Sequence, residues 1–175
     1  MRRRPSTGRR HSGVVRHYLP DLVYGANDGI ITTFAVVSGV VGASLSERII
    51  LILGFANLVA DGFSMGASNF LARRSYADAE DRADRPEAAR HGAATLFGFL
   101  VAGIVPLIAY VVPLPDGYRF PLAIALTLST LFAVGAARTL VTRVGWIRSG
   151  LEMLGVGAAA AAVAYSIGAL ASGLT

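Results

Sequence analysis

The chain alternates long apolar runs with short polar breaks. Apolar runs occupy residues 22–43, 49–72, 93–112, 120–140 and 151–170. Each matches the roughly 20 residues that a helix needs to cross a bilayer. The breaks at 44–48, 73–90, 113–119 and 141–150 carry most of the charge. Buried core strands would be shorter and poorer in Gly and Ala, so the pattern predicts an all-α membrane protein of five transmembrane helices. Pro106 predicts a kink in the third span, and Pro115-Asp116-Gly117 predicts a turn after it. Two parts follow: a basic cytoplasmic arm over 1–20, broken by Pro5 and Pro20 and irregular apart from a short stretch near Val14 to Tyr18, and a transmembrane domain over 21–175. The basic start before an apolar run resembles a secretory signal. It lacks a small-residue cleavage site and leads into further spans, so it is expected to stay as a signal anchor.

Composition supports the same class. The 175 residues are 54% hydrophobic and only 15% charged, against about 25% charged in soluble domains. Mean hydropathy is +0.56. There is no Cys, which removes disulfides, thiolate metal sites and iron–sulfur clusters. All sixteen Lys-or-Arg positions are Arg, which removes the P-loop lysine and Schiff-base chemistry and so an ATP-driven pump. The run Gly155-Val156-Gly157-Ala158 mimics a dinucleotide fingerprint, but no strand precedes it, and close helix packing accounts for it.

The net charge of +5 has a plain cause that does not involve nucleic acid. Fourteen arginines fall before the first span, in the break after the second and around the break after the fourth, where Arg138 sits in the last turn of the span, against two in the alternate segments. The positive-inside rule therefore predicts a cytoplasmic N-terminus and an outside C-terminus. Trp146 is an expected interface anchor.

Charge inside the apolar runs carries the candidate chemistry, because a carboxylate in hydrocarbon costs about 2.5–3.5 kcal/mol even on a lenient scale. Asp21, Asp28 and Thr32 are spaced by seven and four, and Asn57, Asp61, Met65 and Ser68 by four, four and three. Those spacings give each of the first two helices one polar stripe, to which Ser64 adds a hydroxyl. Asp28 lies about 10 Å inside Asp21, and Met65 about 10 Å inside residue 72. Antiparallel packing would bring Asp28 and Met65 level, with Asp61 just beyond. Carboxylates alone suit Mg, Ca or Mn, and the added thioether tilts the site toward a later transition metal such as Fe2+. Gly62-Phe63-Ser64-Met65-Gly66 is a small-xxx-small motif that permits close helix contact.

The segments DGIITTFAVVSGVVGASLS and ANLVADGFSMGASNFLARRSYADAE resemble the first two helices of the vacuolar iron transporter (VIT) family. The likeness covers about a third of the chain (order of magnitude) and rests on Asp-Gly followed by Thr and Phe, then Asp-Gly-X-Ser-Met. It implies a homodimer whose pathway lies between the two first helices, exporting Fe2+ or Mn2+ from the cytosol in exchange for protons. It implies Asp28 and Met65 as intramembrane ligands and Asp21 as the carboxylate at the cytosolic mouth. The family can have Glu where this chain has Asn57, and Asp61 stands one turn away. Full-length relatives insert a Glu-rich metal-capturing domain in the second loop. The short segment here resembles the nodulin-like subgroup that lacks it.

Asp78, Glu80, Asp81, Asp84 and Glu87 in that segment are a candidate collecting patch, with ion pairing to the intervening arginines the competing account. Glu152-Met153 repeats the carboxylate–thioether pairing, although adjacent residues do not share a helix face. His11, His17 and His91 sit at polar edges and are expected to be solvated. No resident cofactor or catalytic nucleophile–base pair is expected, and the bacterial plasma membrane is the expected location. A reading of a different class keeps the carboxylates but assigns them to a non-transporting membrane protein that pairs them with a partner's arginines.

Overall fold

A computed structural model describes residues 8–79, 85–115, 117–140, 142 and 144–174. Six α-helices follow in order: α1 Gly8–Gly42, α2 Glu47–Ala79, α3 Arg85–Gly103, α4 Val105–Val111, α5 Arg119–Ala137 and α6 Trp146–Ser172, with a 3-10 turn Arg138–Leu140 after α5. Among the described residues there is no strand. The mimic of a nucleotide fingerprint lies within α6.

The third expected span is α3 plus α4. Pro106 cannot donate to the carbonyl four residues back and its ring crowds that turn, so the helix breaks at Ile104 and restarts at Val105. The restart keeps a tight Leu107 N–H to Ile104 C=O bond of 3.0 Å. α1 ends with Leu45 N–H on Val40 C=O and Ser44 N–H on Val41 C=O, the paired bonds of a Schellman cap. Its left-handed position holds Ser44 at φ 54 where glycine is usual. Gly117 at φ 90 makes the turn into α5, closed by Tyr118 N–H on Pro115 C=O.

α1 forms the centre, packing against α2, α3, α4, α5 and α6. Ile30, Phe34, Val37 and Val40 are buried there with Thr33 and Ser38, and Phe34 stacks on Phe120 of α5 at 6.3 Å. The outer surface is apolar, with Ile52, Val59 and Phe63 of α2 and Val156, Val163 and Ile167 of α6 exposed. A soluble bundle would place polar residues there. Among the described residues four helical stretches are long and apolar enough to cross a membrane, Glu47–Ala79, Pro86–Val111, Arg119–Leu140 and Trp146–Ser172, and the first of the five expected spans, within α1, is not one of them. α1 carries Asn27 and Asp28 at its middle and lies among the others. The chain is an integral membrane protein.

The helices run well past the expected spans at one end. α1 begins at Gly8, inside the stretch read as an irregular arm, and continues through Pro20. α2 reaches Ala79 and α3 starts at Arg85, inside the expected polar break. Residues 1–7 of the arm, Glu80, Asp81, Asp84 and the His11 side chain lie outside the described residues.

Candidate functional site

α1 and α3 run parallel and meet along a ladder whose partners differ by 70 in number. His17 meets Glu87 at 2.9 Å and Asp21 meets His91 at 2.5 Å. Gly25 then backs onto Thr95, and Gly29 onto Phe99. A Cβ at either glycine would collide with the α3 backbone, so the missing side chains are what bring the helix axes together. α2 runs antiparallel beside them. Its Gly66 faces Gly92 and Leu96, and its Gly62 faces Leu96, Phe99 and Leu100. Through the ladder, Gly62 stands level with Asp28, and Met65 level with Gly25.

That register changes the expected arrangement. Asp28 is level with Asp61, and the two are close enough for the Asp61 charge to act on Asp28. Met65 lies three to four residues nearer the Asp21 end, about 5 Å at 1.5 Å per residue. Sequence distance from the span ends misjudged the offset because α2 extends to Ala79 instead of ending near residue 72. Both carboxylates are half-buried, as is Met65, which packs against the core around Phe34 and Leu58.

Among the described residues no salt bridge involves Asp28 or Asp61. Four buried polar atoms on α1 and α2 also lack hydrogen-bond partners: Asn27 Oδ1, Thr33 Oγ1, Ser38 Oγ and Asn57 Nδ2. Tyr110, Arg119, Thr127 and Ser149 on α4, α5 and α6 carry such atoms too, so these exceptions to the usual satisfaction of buried polar groups are not confined to α1 and α2.

Asp21, expected at a mouth, is instead a buried hub between three helices. Its side chain is 6% exposed. It accepts from Asn69 Nδ2 at 2.8 Å, from Arg73 at 3.0 Å and from His91 Nδ1 at 2.5 Å. Asn69 also donates to Thr95 Oγ1 at 2.7 Å. Burial by itself pushes the Asp21 carboxyl up, but the hydrogen bonds from His91 and Asn69 and the Arg73 charge outweigh it and hold the pKa below its ordinary value.

His91 is therefore a correction to the expectation of solvated histidines: it is 4% exposed and bonded to Asp21. Half-exposed His17 pairs with Glu87, and its imidazole ring lies 4.8 Å from that of His91. The partners of both histidines are 70 residues away in sequence, a distance that no helical spacing signals. Asn69 and Arg73 were missed for the same reason, although Asn69 continues the four-residue series Asn57, Asp61, Met65.

Other expected site residues fall elsewhere. Thr32 donates to the Asp28 main-chain oxygen at 2.8 Å. Ser64 and Ser68 are exposed on the outer side of α2. Asp78 is exposed and pairs with Arg74 at 3.6 Å, in line with ion pairing in that segment. Glu152 is held by Arg148 at 3.1 Å and Arg138 at 3.8 Å. Met153 is buried against Gly135, and Glu152 and Met153 line one cavity with Tyr24, Asn27 and Arg138.

The VIT family model matches residues 19–89 and 79–169. Vacuolar iron transporter homolog 1 of Oryza sativa subsp. japonica is 30% identical over 185 residues, covering 94% of this chain and 79% of that protein. Vacuolar iron transporter homolog 3 of Arabidopsis thaliana is 26% identical over 160 residues, with 85% and 80% covered. The vacuolar iron transporter of Toxoplasma gondii is 38% identical over 80 residues, 44% of this chain. The match spans about a quarter of that protein's length, 26%.

Proposed function

We propose that this chain, which belongs to the VIT family, transports divalent Fe2+ or Mn2+ out of the cytosol in exchange for protons. The observation that carries the reading is the level pair Asp28 and Asp61, set in membrane-crossing helices with no cationic partner among the described residues. Each unpaired carboxylate in hydrocarbon costs about 2.5–3.5 kcal/mol. A divalent ion or protons relieve that cost, which is the alternation an exchanger needs. Met65, about one turn nearer Asp21, adds a soft donor that favours a transition metal over Mg2+ or Ca2+.

The working unit is a homodimer, N-terminus in and C-terminus out. Two copies supply two Asp28–Met65 sets to one dehydrated ion, and Asp61 neutralises charge or relays protons. The cytosolic end is the arginine-rich end where α1, α2 and α3 extend beyond the bilayer. The relatives are named for the vacuole, and nothing in the structure favours the bacterial plasma membrane expected from the sequence.

Purified protein in liposomes tests this directly. A pH gradient should drive Fe2+ or Mn2+ flux, and Asp28→Ala should abolish it. An absence of wild-type flux, or full flux in Asp28→Ala, overturns the proposal. No flux together with loss of a membrane complex in Asp28→Ala would point to the interaction protein instead.

A further inference from the structure

We propose that His17, Glu87 and His91 form a binding site for a first-row divalent transition metal at the polar end of α1 and α3, with Asp21 positioning His91. One ligand atom from each of the three lies within 4.8 Å of the others. A tetrahedral ion with bonds of about 2.1 Å separates its ligands by about 3.4 Å. His17 and Glu87 already stand at 2.9 Å. Both side chains are about half exposed, at 49% and 44%, so a small adjustment of either closes the remaining gap.

The arrangement around His91 is that of a built site. Glu87 and His91 are four apart on α3 and share one face. The buried Asp21 carboxylate accepts from His91 Nδ1, which fixes the tautomer and leaves the lone pair on Nε2. A carboxylate behind a ligating imidazole orients the ring and raises its basicity, and such partners matter nearly as much as the ligands. Tyr18 and His17 pack their rings against His91 at 4.8 Å each. The Arg73 guanidinium is committed to Asp21, so its charge is offset, and Glu87 adds a negative charge to the site.

His17, Glu87 and His91 line a cavity of about 350 Å³ with Arg73, Tyr76 and Ala88. That space leaves room for water on the remaining coordination positions, so an ion can exchange. Two imidazoles and one carboxylate suit Fe2+, Co2+ or Zn2+ better than Mg2+ or Ca2+. The site stands one ladder rung beyond Asp21 and three beyond Gly29, along the same helix face that leads to Asp28. It would load the pathway; this role rests on the transport reading, whereas binding itself does not.

Co2+ added to the full-length protein in detergent gives the test, read as visible d–d absorption and as metal bound per chain in equilibrium dialysis. Wild type should show d–d bands, and His17→Ala and Glu87→Gln, both at exposed positions, should each weaken that binding at least about tenfold. Asp28→Ala/Met65→Ala should keep the bands. Unchanged affinity in both His17→Ala and Glu87→Gln overturns the site, as does loss of the bands in the Asp28/Met65 variant. Bands sensitive to His17→Ala without any liposome flux support the site and refute the transport reading. Flux with bands insensitive to both variants does the reverse.

Discussion

Replacing Asp21 by Ala removes the acceptor on which three helices converge, and the structure sets the cost. The loss falls unevenly on its three donors. Asn69 keeps Thr95 Oγ1 at 2.7 Å and loses little. Arg73 is 41% exposed, so water takes over and screening limits its share to about 0–1 kcal/mol. His91 is 4% exposed and has no such recourse. Its orphaned Nδ1–H costs about 1–3 kcal/mol. Asp21→Ala should therefore destabilise the protein by about 1–4 kcal/mol. Asp21→Asn keeps the shape and an acceptor, and His91 can change tautomer to accept from the new amide, so about 1 kcal/mol is expected. Denaturant unfolding in detergent micelles, followed by Trp146 fluorescence, measures both. A double-mutant cycle with Arg73→Ala should return a coupling below about 1 kcal/mol. An Asp21→Ala cost under about 0.5 kcal/mol, or Asn as costly as Ala, would refute the assignment of the energy to the buried His91 bond.

Three further outcomes follow from the same geometry. Gly29→Leu should force α1 from α3, since even a Cβ would sit 2.9 Å from Phe99 Cα, costing at least about 1–3 kcal/mol in the same unfolding assay. Ser44→Gly should stabilise by about 0.5–1 kcal/mol, because Ser44 holds φ 54 at a Schellman position that glycine occupies without penalty. Asp61→Asn should lower metal flux in liposomes at least about tenfold, and unchanged flux would remove Asp61 from the pathway.

The transmembrane architecture was legible because hydrophobic run length reports directly on bilayer thickness, and Pro106 announced its break through its own missing N–H. The polar stripe of Asp28, Asp61 and Met65 was legible because spacings of four and seven repeat the helix period. What could not be read was the register between helices. α2 crosses from apolar to polar sequence near Ala72 and stays helical to Ala79. A register counted from that hydrophobic boundary put Met65 beside Asp28, where packing puts Asp61. The polar extension of α1 was equally silent. No apolar periodicity marks it, and rungs such as His17–Glu87 and Asp21–His91 tie it down.

By itself, then, the sequence determined that the chain lives in a membrane, that it is all-helical with several apolar segments long enough to cross, and that two carboxylates sit within those apolar runs. Those properties depend on composition and on periods of a few residues. Tertiary structure decided which carboxylates share a level, that Asp21 is a buried hub instead of an open mouth, and that two histidines thought solvated meet a glutamate at one end. Those depend on how closely α1 and α3 approach. That distance is set by Gly25 and Gly29 having no Cβ to hold the α3 backbone away, a contact between residues 70 apart.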